Sequence, residues 1–187
     1  MKNTYPLTVA GIHRDLPLCS LNEDMKIAGF VIFGDVELTC ACAGELLKLV
    51  DESEYDYMVA PEAKSIPLIH EMARQSGRNE YIILRKGKKA YMQHAFEAED
   101  RSITTAGTQK LYMDGIDADK IRGKRVLLVD DVISTGGSIA AAEDLVTQAG
   151  AIVAARLSIL AEGKAKDRTD IRFLEALPLF DKEGNPL

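Results

Sequence analysis

The sequence predicts an α/β protein with a central, mostly parallel sheet flanked by helices. Three observations carry that expectation. Strand-like and helix-like stretches alternate from residue 55 to residue 160, the pattern of strand–crossover–strand units. One of the strands, Arg125-Val126-Leu127-Leu128-Val129, is an apolar run of the kind buried on both faces of a parallel sheet. The 187 residues are 47% hydrophobic and 28% charged, an ordinary globular balance, and a chain of this length buries roughly 70% of its unfolded surface without a disulfide staple.

Taken in order, the first 35 residues read as irregular, because Pro6, Gly11, Pro17, Gly29 and Gly34 interrupt any long periodicity. From Val36 to Val50, apolar residues at Leu38, Cys42, Leu46, Leu47 and Val50 suit one face of a helix. Tyr57-Met58-Val59-Ala60 is a short buried strand. A helix runs from about Ile66 to Gln75, with Gly77 placed to end it. Tyr81-Ile82-Ile83-Leu84 is the next strand. A polar, mixed stretch from Arg85 to Asp100 interrupts the pattern, and Ile103 to Met113 reads as a hairpin arm. After the strand at 125–129, the apolar positions Ile139, Ala142, Leu145, Val146 and Ala149 fit a helix from Gly137 to Ala149 that Gly150 ends. Ala151 to Leu160 is the last strand read.

Composition excludes several function classes. Acidic residues number 29 against 23 basic ones, which argues against a surface that coats nucleic acid but allows a local basic pocket. No residues are spare for a basic helix-turn-helix extension. No apolar stretch approaches 18 residues and no h-region follows Met1, so neither a membrane span nor a signal peptide is read. Cys19, Cys40 and Cys42 form no framework, which suits a reducing compartment, and the chain is expected to be cytoplasmic. Cys40 and Cys42 lack partners for a metal site and read as packing residues. No protein-held metal is expected. His70 and His94 read as surface or helix residues.

The chemistry concentrates in Val126-Leu-Leu-Val-Asp130-Asp131-Val132-Ile133-Ser134-Thr135-Gly136-Gly137-Ser138. A buried strand ends in two carboxylates, and a Thr-Gly-Gly-Ser turn then enters a helix. Ligands of open α/β sheets bind outside the carboxyl ends of the strands. Small residues leading into a helix N-terminus present N–H groups and a positive dipole end to a phosphate. Acids beside a phosphate site suit sugar hydroxyls or a hydrated divalent cation instead. A phosphorylated ribose with Mg²⁺ nearby satisfies both halves. The Walker A lysine and the dinucleotide G-x-G-x-x-G are both absent. A receiver domain, which also opens on paired acids, could not fit in the remaining residues.

This string resembles the 5-phosphoribosyl 1-pyrophosphate (PRPP) signature of the type I phosphoribosyltransferases. The resemblance implies their fold over residues 1–187 as a single domain, with a hood-like segment at 1–35 and an α/β PRPP-binding core at 55–187. It implies that Asp130 and Asp131 contact the ribose hydroxyls and that Ser134, Thr135, Gly136, Gly137 and Ser138 cradle the 5′-phosphate. Three further segments resemble the adenine branch. Gly11-Ile12-His13-Arg14-Asp15-Leu16-Pro17-Leu18 is similar to its hood segment, which implies base contacts at Ile12 and Arg14. Ala60-Pro61-Glu62-Ala63-Lys64-Ser65 resembles its Glu-Ala-Arg-Gly pyrophosphate loop, with Lys64-Ser65 in place of Arg-Gly. Arg85-Lys86-Gly87-Lys88-Lys89 is similar to its basic segment, which puts Arg85, Lys86 and Lys89 at the pyrophosphate, with Arg85 and Lys86 assisting its departure.

The family's closing loop carries a catalytic glutamate. The corresponding stretch here is divergent, with Glu97 and Glu99 as candidates and residues 88–108 hinging at Gly87 and Gly107. The implied activity is Mg²⁺-dependent transfer of phosphoribose from PRPP to a purine, adenine foremost, by a homodimeric salvage enzyme. The metal would be held by PRPP and water. A 6-oxopurine substrate and a non-catalytic PRPP sensor are the alternatives.

Overall fold

The computed structural model describes residues 3–100 and 109–187, and for Asp100 and Gln109 the backbone alone. Its elements in chain order are strands β1 (Thr4–Val9), β2 (Ile12–Ser20) and β3 (Met25–Ala28), helix α1 (Val36–Leu47), strand β4 (Tyr57–Pro61), helix α2 (Ser65–Gln75) and strands β5 (Ile82–Leu84), β6 (Phe96–Asp100) and β7 (Gln109–Met113). Helix α3 (Gly115–Ile121), β8 (Arg125–Ile133), α4 (Gly137–Gln148), β9 (Ile152–Glu162), β10 (Arg172–Leu177) and β11 (Phe180–Asp181) complete the chain.

Five strands form the central sheet in the order β10-β9-β8-β4-β5, and every neighbouring pair is parallel. The side chains of its strands alternate between two cores. Met58, Ala60, Leu127 and Val129 pack with α1 and α2 on one face. Val59, Val126 and Leu128 pack with α3 and α4 on the other. The apolar run at 125–129 therefore feeds both cores, as its unbroken pattern predicts. The strand runs on through the acids, contrary to the expectation that they end it: Asp130 and Asp131 lie inside β8 and are followed by Val132 and Ile133, which still pair with β9.

The first 35 residues are not irregular, contrary to expectation. β1 and β2 form a hairpin across Ala10 and Gly11, both at positive φ, the type I′ geometry that matches strand twist. Both prolines sit where a missing N–H is tolerated. Pro6 lies on the outer strand β1. Pro17 lies where β2 leaves β1 and turns to β3, and its carbonyl accepts from Gly29 N–H at 2.8 Å. β11 returns from the C-terminus to pair with β3, closing an antiparallel sheet of order β1-β2-β3-β11.

Two further elements differ from the sequence reading. The polar 85–100 stretch contains β6, which pairs with β7, and of the arm expected at 103–113 the described part, Gln109–Met113, is β7. Residues 101–108 lie outside the described residues, including the proposed hinge at Gly107. α3 escaped the sequence reading because its seven residues are too few to display a period; Asp114 caps it by accepting from Ile116 N–H. No helix among the described residues is long and apolar enough to cross a membrane.

Candidate functional site

The chain order of the central sheet reverses beside β4: β5 lies on one side and β8 on the other. Crossovers leave such a pair in opposite directions, opening a crevice outside the carboxyl ends of the two strands. The crevice here has a volume of about 450 Å³. One wall is the β4 exit, Pro61 to Ser65, and the other is the β8 exit, Asp130 to Ile139. Every residue from Ser134 to Ser138 lines it. The sequence-expected ribose, phosphate and pyrophosphate segments therefore meet at one place.

The two acids are held differently. Asp130 and Asp131 are only 7% and 4% exposed. Asp130 Oδ1 accepts from the Ser65 hydroxyl at 2.7 Å and from Asp131 N–H at 2.9 Å. Burial, reinforced by the neighbouring Asp131 charge, pushes the Asp130 carboxyl well above its ordinary range. Asp131 Oδ2 faces Lys64 Nζ at 2.5 Å. Lys64 also reaches Phe30 O at 3.4 Å, which ties the β4 exit to the N-terminal sheet. Its basic head thus lies between a carboxylate and a carbonyl, ready to exchange either for a ligand phosphate.

Glu62 is a tether. Its carboxylate faces Arg85 Nε at 2.7 Å and accepts from Lys86 N–H at 2.6 Å, fixing the basic segment after β5. The Glu62–Ala63 peptide bond is cis. Lys86 lines the crevice, whereas Arg85 and Lys89 do not. Arg85 is spent on Glu62, on the Tyr91 hydroxyl at 3.0 Å and on a backbone bridge to Tyr112. The Lys89 N–H contacts Met92 Sδ.

At the β8 exit, Gly136 caps α4 at φ +85 with no side-chain hydrogen bond. The first turn of the helix therefore directs its N–H groups and dipole at the crevice without a competing cap. Such a helix terminus suits an anion.

The hood residues expected at the base, Ile12 and Arg14, lie elsewhere. Arg14 clamps the N-terminus of α1, with Nε to Asp35 Oδ2 at 2.7 Å and Nη2 to Glu37 Oε2 at 2.7 Å. The guanidinium holds the Asp35 carboxyl below its usual range, and Asp35 in turn caps α1 through Leu38 N–H. Neither Ile12 nor Arg14 lines the crevice; Ile27 to Val31, further along the hood, do. Glu97 and Glu99 lie on β6 outside the crevice, Glu97 paired with Lys110 at 2.7 Å. Cys42 is fully buried, its thiol pushed up to about 12 by burial, in keeping with a packing role.

Besides Ile27 to Val31, sequence reasoning missed Glu162 at the end of β9 and Leu177 at the end of β10, which also line the crevice. Glu162 carried a readable signal. An acid following an apolar run, as Glu162 follows Ile159-Leu160-Ala161, has the same form as Asp130 following the run at 126–129.

The phosphoribosyl transferase domain family matches residues 39–177. A hypoxanthine/guanine phosphoribosyltransferase of Methanotorris igneus is 30% identical over 148 residues, covering 76% of this chain and 75% of its own. An adenine phosphoribosyltransferase of Thermotoga neapolitana is 34% identical over 133 residues, covering 67% and 74%. Among solved structures, adenine phosphoribosyltransferase from Thermoanaerobacter pseudethanolicus superposes with a TM-score of 0.67 at 22% identity, covering 86% of this chain and 95% of that one. The Saccharomyces cerevisiae enzyme, solved with adenine and an imino-altritol bisphosphate, gives 0.63 at 22% identity, covering 92% of each chain.

Proposed function

The chain belongs to the phosphoribosyl transferase family, and from that premise we propose that it transfers phosphoribose from PRPP to adenine, yielding AMP and pyrophosphate. One observation carries the proposal: the Asp130–Asp131 pair and the Thr135–Ser138 turn converge with the Ala63–Ser65 loop on one crevice at the sheet's reversal point. That arrangement offers hydroxyl-binding acids beside a phosphate-binding helix terminus, and cations at the opposite wall for a second phosphate group.

The purine N9 attacks C1 of the ribose as the C1–O bond to pyrophosphate breaks. The bonding pair departs with pyrophosphate, and the N9 proton is lost to base or solvent. The transition state spreads positive charge over the sugar and negative charge over the leaving group, so catalysis is chiefly positioning and electrostatics. The Ser134–Ser138 turn holds the 5′-phosphate, and Asp130 and Asp131 hold the ribose hydroxyls. Lys64, released from Asp131, and Lys86 take the pyrophosphate. Arg85 contributes through Glu62, by keeping Lys86 in place. When bound, Mg²⁺ adds charge neutralisation at the leaving group.

Adenine is favoured over a 6-oxopurine by the Ser134-Thr135-Gly136-Gly137-Ser138 wording and by its likeness to adenine enzymes. A hypoxanthine or guanine enzyme is the second reading, because relatives of that activity match at comparable identity. A homodimer working in the cytoplasm suits the family. The half-exposed Val31 and Phe33 and the 72% exposed Val36 give it an apolar surface for a second copy.

The test offers PRPP and Mg²⁺ with adenine, hypoxanthine, guanine or xanthine separately and follows pyrophosphate release and nucleotide product. AMP formed from adenine is the expected result. Turnover of a 6-oxopurine alone overturns the base, and PRPP binding without any turnover overturns the enzyme in favour of a sensor.

A further inference from the structure

Glu162 has no place in the mechanism above, yet it lies in the same crevice. It is the last residue of β9, level with Leu177 of β10 and next to the β8 exit. Only 7% of it is exposed. The Ser134 side chain lies close enough to favour its charged form, and no ion pair is found for it among the described residues. The other acids of the crevice are occupied: Glu62 by Arg85 and Lys86, Asp131 by Lys64, Asp130 by Ser65 and the chain N–H. A carboxylate offers about four lone-pair positions, so even with Ser134 beside it Glu162 has acceptor capacity to spare.

The surroundings define what would use that capacity. Ser134 begins the phosphate turn, so Glu162 stands at the border of that turn. The same crevice has an apolar wall that includes Ile27, Phe30 and Leu177. A flat heterocycle resting on that wall, with its sugar directed toward Asp130 and Asp131, turns an edge toward β9. An acceptor there attracts an N–H and repels a carbonyl oxygen. Burial raises the Glu162 carboxyl, while Ser134 and the field of Lys64 favour its charged form.

We propose that Glu162 selects the base, accepting a hydrogen bond from the exocyclic amino group of a 6-aminopurine and disfavouring 6-oxopurines. This rests on the transferase reading above and assigns its base preference to one side chain. A site built to accept an N–H discriminates strongly against a ligand that presents oxygen there, because two acceptors then face each other without a proton.

The experiment measures kcat/KM for adenine, hypoxanthine and 6-methylpurine, together with the KM for PRPP, in the wild-type protein, Glu162→Gln and Glu162→Leu. Gln preserves shape and adds a donor, so it reports even where the Leu variant fails to fold. The expected result is that the adenine-to-hypoxanthine ratio falls by about ten- to a hundredfold in Glu162→Gln. The wild type should prefer adenine to 6-methylpurine, which lacks the N–H, and the KM for PRPP should change less than about threefold. Unchanged base ratios in an active Gln variant would overturn the role of Glu162 and leave the transferase reading intact. A wild type that turns over no purine removes the transferase reading and the Glu162 assignment together.

Discussion

Asp130 shows how a single residue trades stability for a binding site. It is a carboxylate held inside a sheet, with burial and the Asp131 charge both opposing its ionisation. A carboxyl whose folded pKa is raised stabilises the fold below its unfolded pKa of about 3.9, and that contribution is lost as pH rises through the folded value. Asp130→Asn keeps an oxygen to accept from Ser65 and from Asp131 N–H while removing the charge. We expect this variant to be more stable than the wild type by ~1 kcal/mol at pH 8, with the gain vanishing toward pH 4. Thermal melts at the two pH values check it. On the transferase reading, the same variant should raise the KM for PRPP ~10-fold, because a carboxyl oxygen facing the ribose hydroxyls is replaced by an amide NH2, which cannot accept from them.

At the scale of elements, the β8 exit depends on one backbone conformation. Gly136 sits at φ +85, and a Cβ built there would collide with Arg168 Nη1. Arg168 is itself fixed by Asp170, with Nε to Oδ1 at 2.9 Å and Nη2 to Oδ2 at 2.7 Å. Gly136→Ala therefore incurs both left-handed strain and a clash with a tethered guanidinium, together about 1–3 kcal/mol. Urea unfolding should show that loss, and pairing the substitution with Arg168→Ala should return the steric part of it, a coupling that a double-mutant cycle reads directly. Both the strand and the helix that Gly136 joins were legible from sequence, because apolar periodicity is strong on either side. The tethered arginine was not, because residues 136 and 168 meet only after α4 has returned the chain and β9 has run parallel to β8.

Across the whole molecule, the two ends of the chain meet to build the hood. β11 pairs with β3, and the Phe180 ring, 1% exposed, meets the Tyr5 ring edge-on with centroids 5.1 Å apart. Phe180 shares a core with Leu7, Leu16 and the α1 and α2 residues, so the hood and the parallel sheet are joined by continuous apolar packing. Phe180→Ala should cost ~3–5 kcal/mol in denaturant unfolding. Because β3 leads directly into the Ile27–Val31 wall, the surviving folded fraction should show a raised KM for the purine with the KM for PRPP nearly unchanged. A proportional rise in both would mean that the hood also supports the phosphate side.

The α/β class, the central strand and the glycine-rich turn that enters α4 are readable from the sequence alone, because each is written in a short continuous run. Apolar continuity at 125–129 and the Asp-Asp to Gly-Gly-Ser string need no distant partner to be recognised. The hood was opaque for the opposite reason. Its prolines and glycines look like breakers until β2 and β3 supply neighbours that tolerate them, and its last strand comes from residues 180–181. Ile12 and Arg14 were placed at the base by local resemblance, whereas tertiary structure commits Arg14 to Asp35 and Glu37 and brings Ile27–Val31 to the crevice. Only the strand order β5-β4-β8 decided where the crevice opens and that Glu162 faces it, because both follow from which strands lie side by side, and no local pattern encodes adjacency between residues thirty to a hundred positions apart.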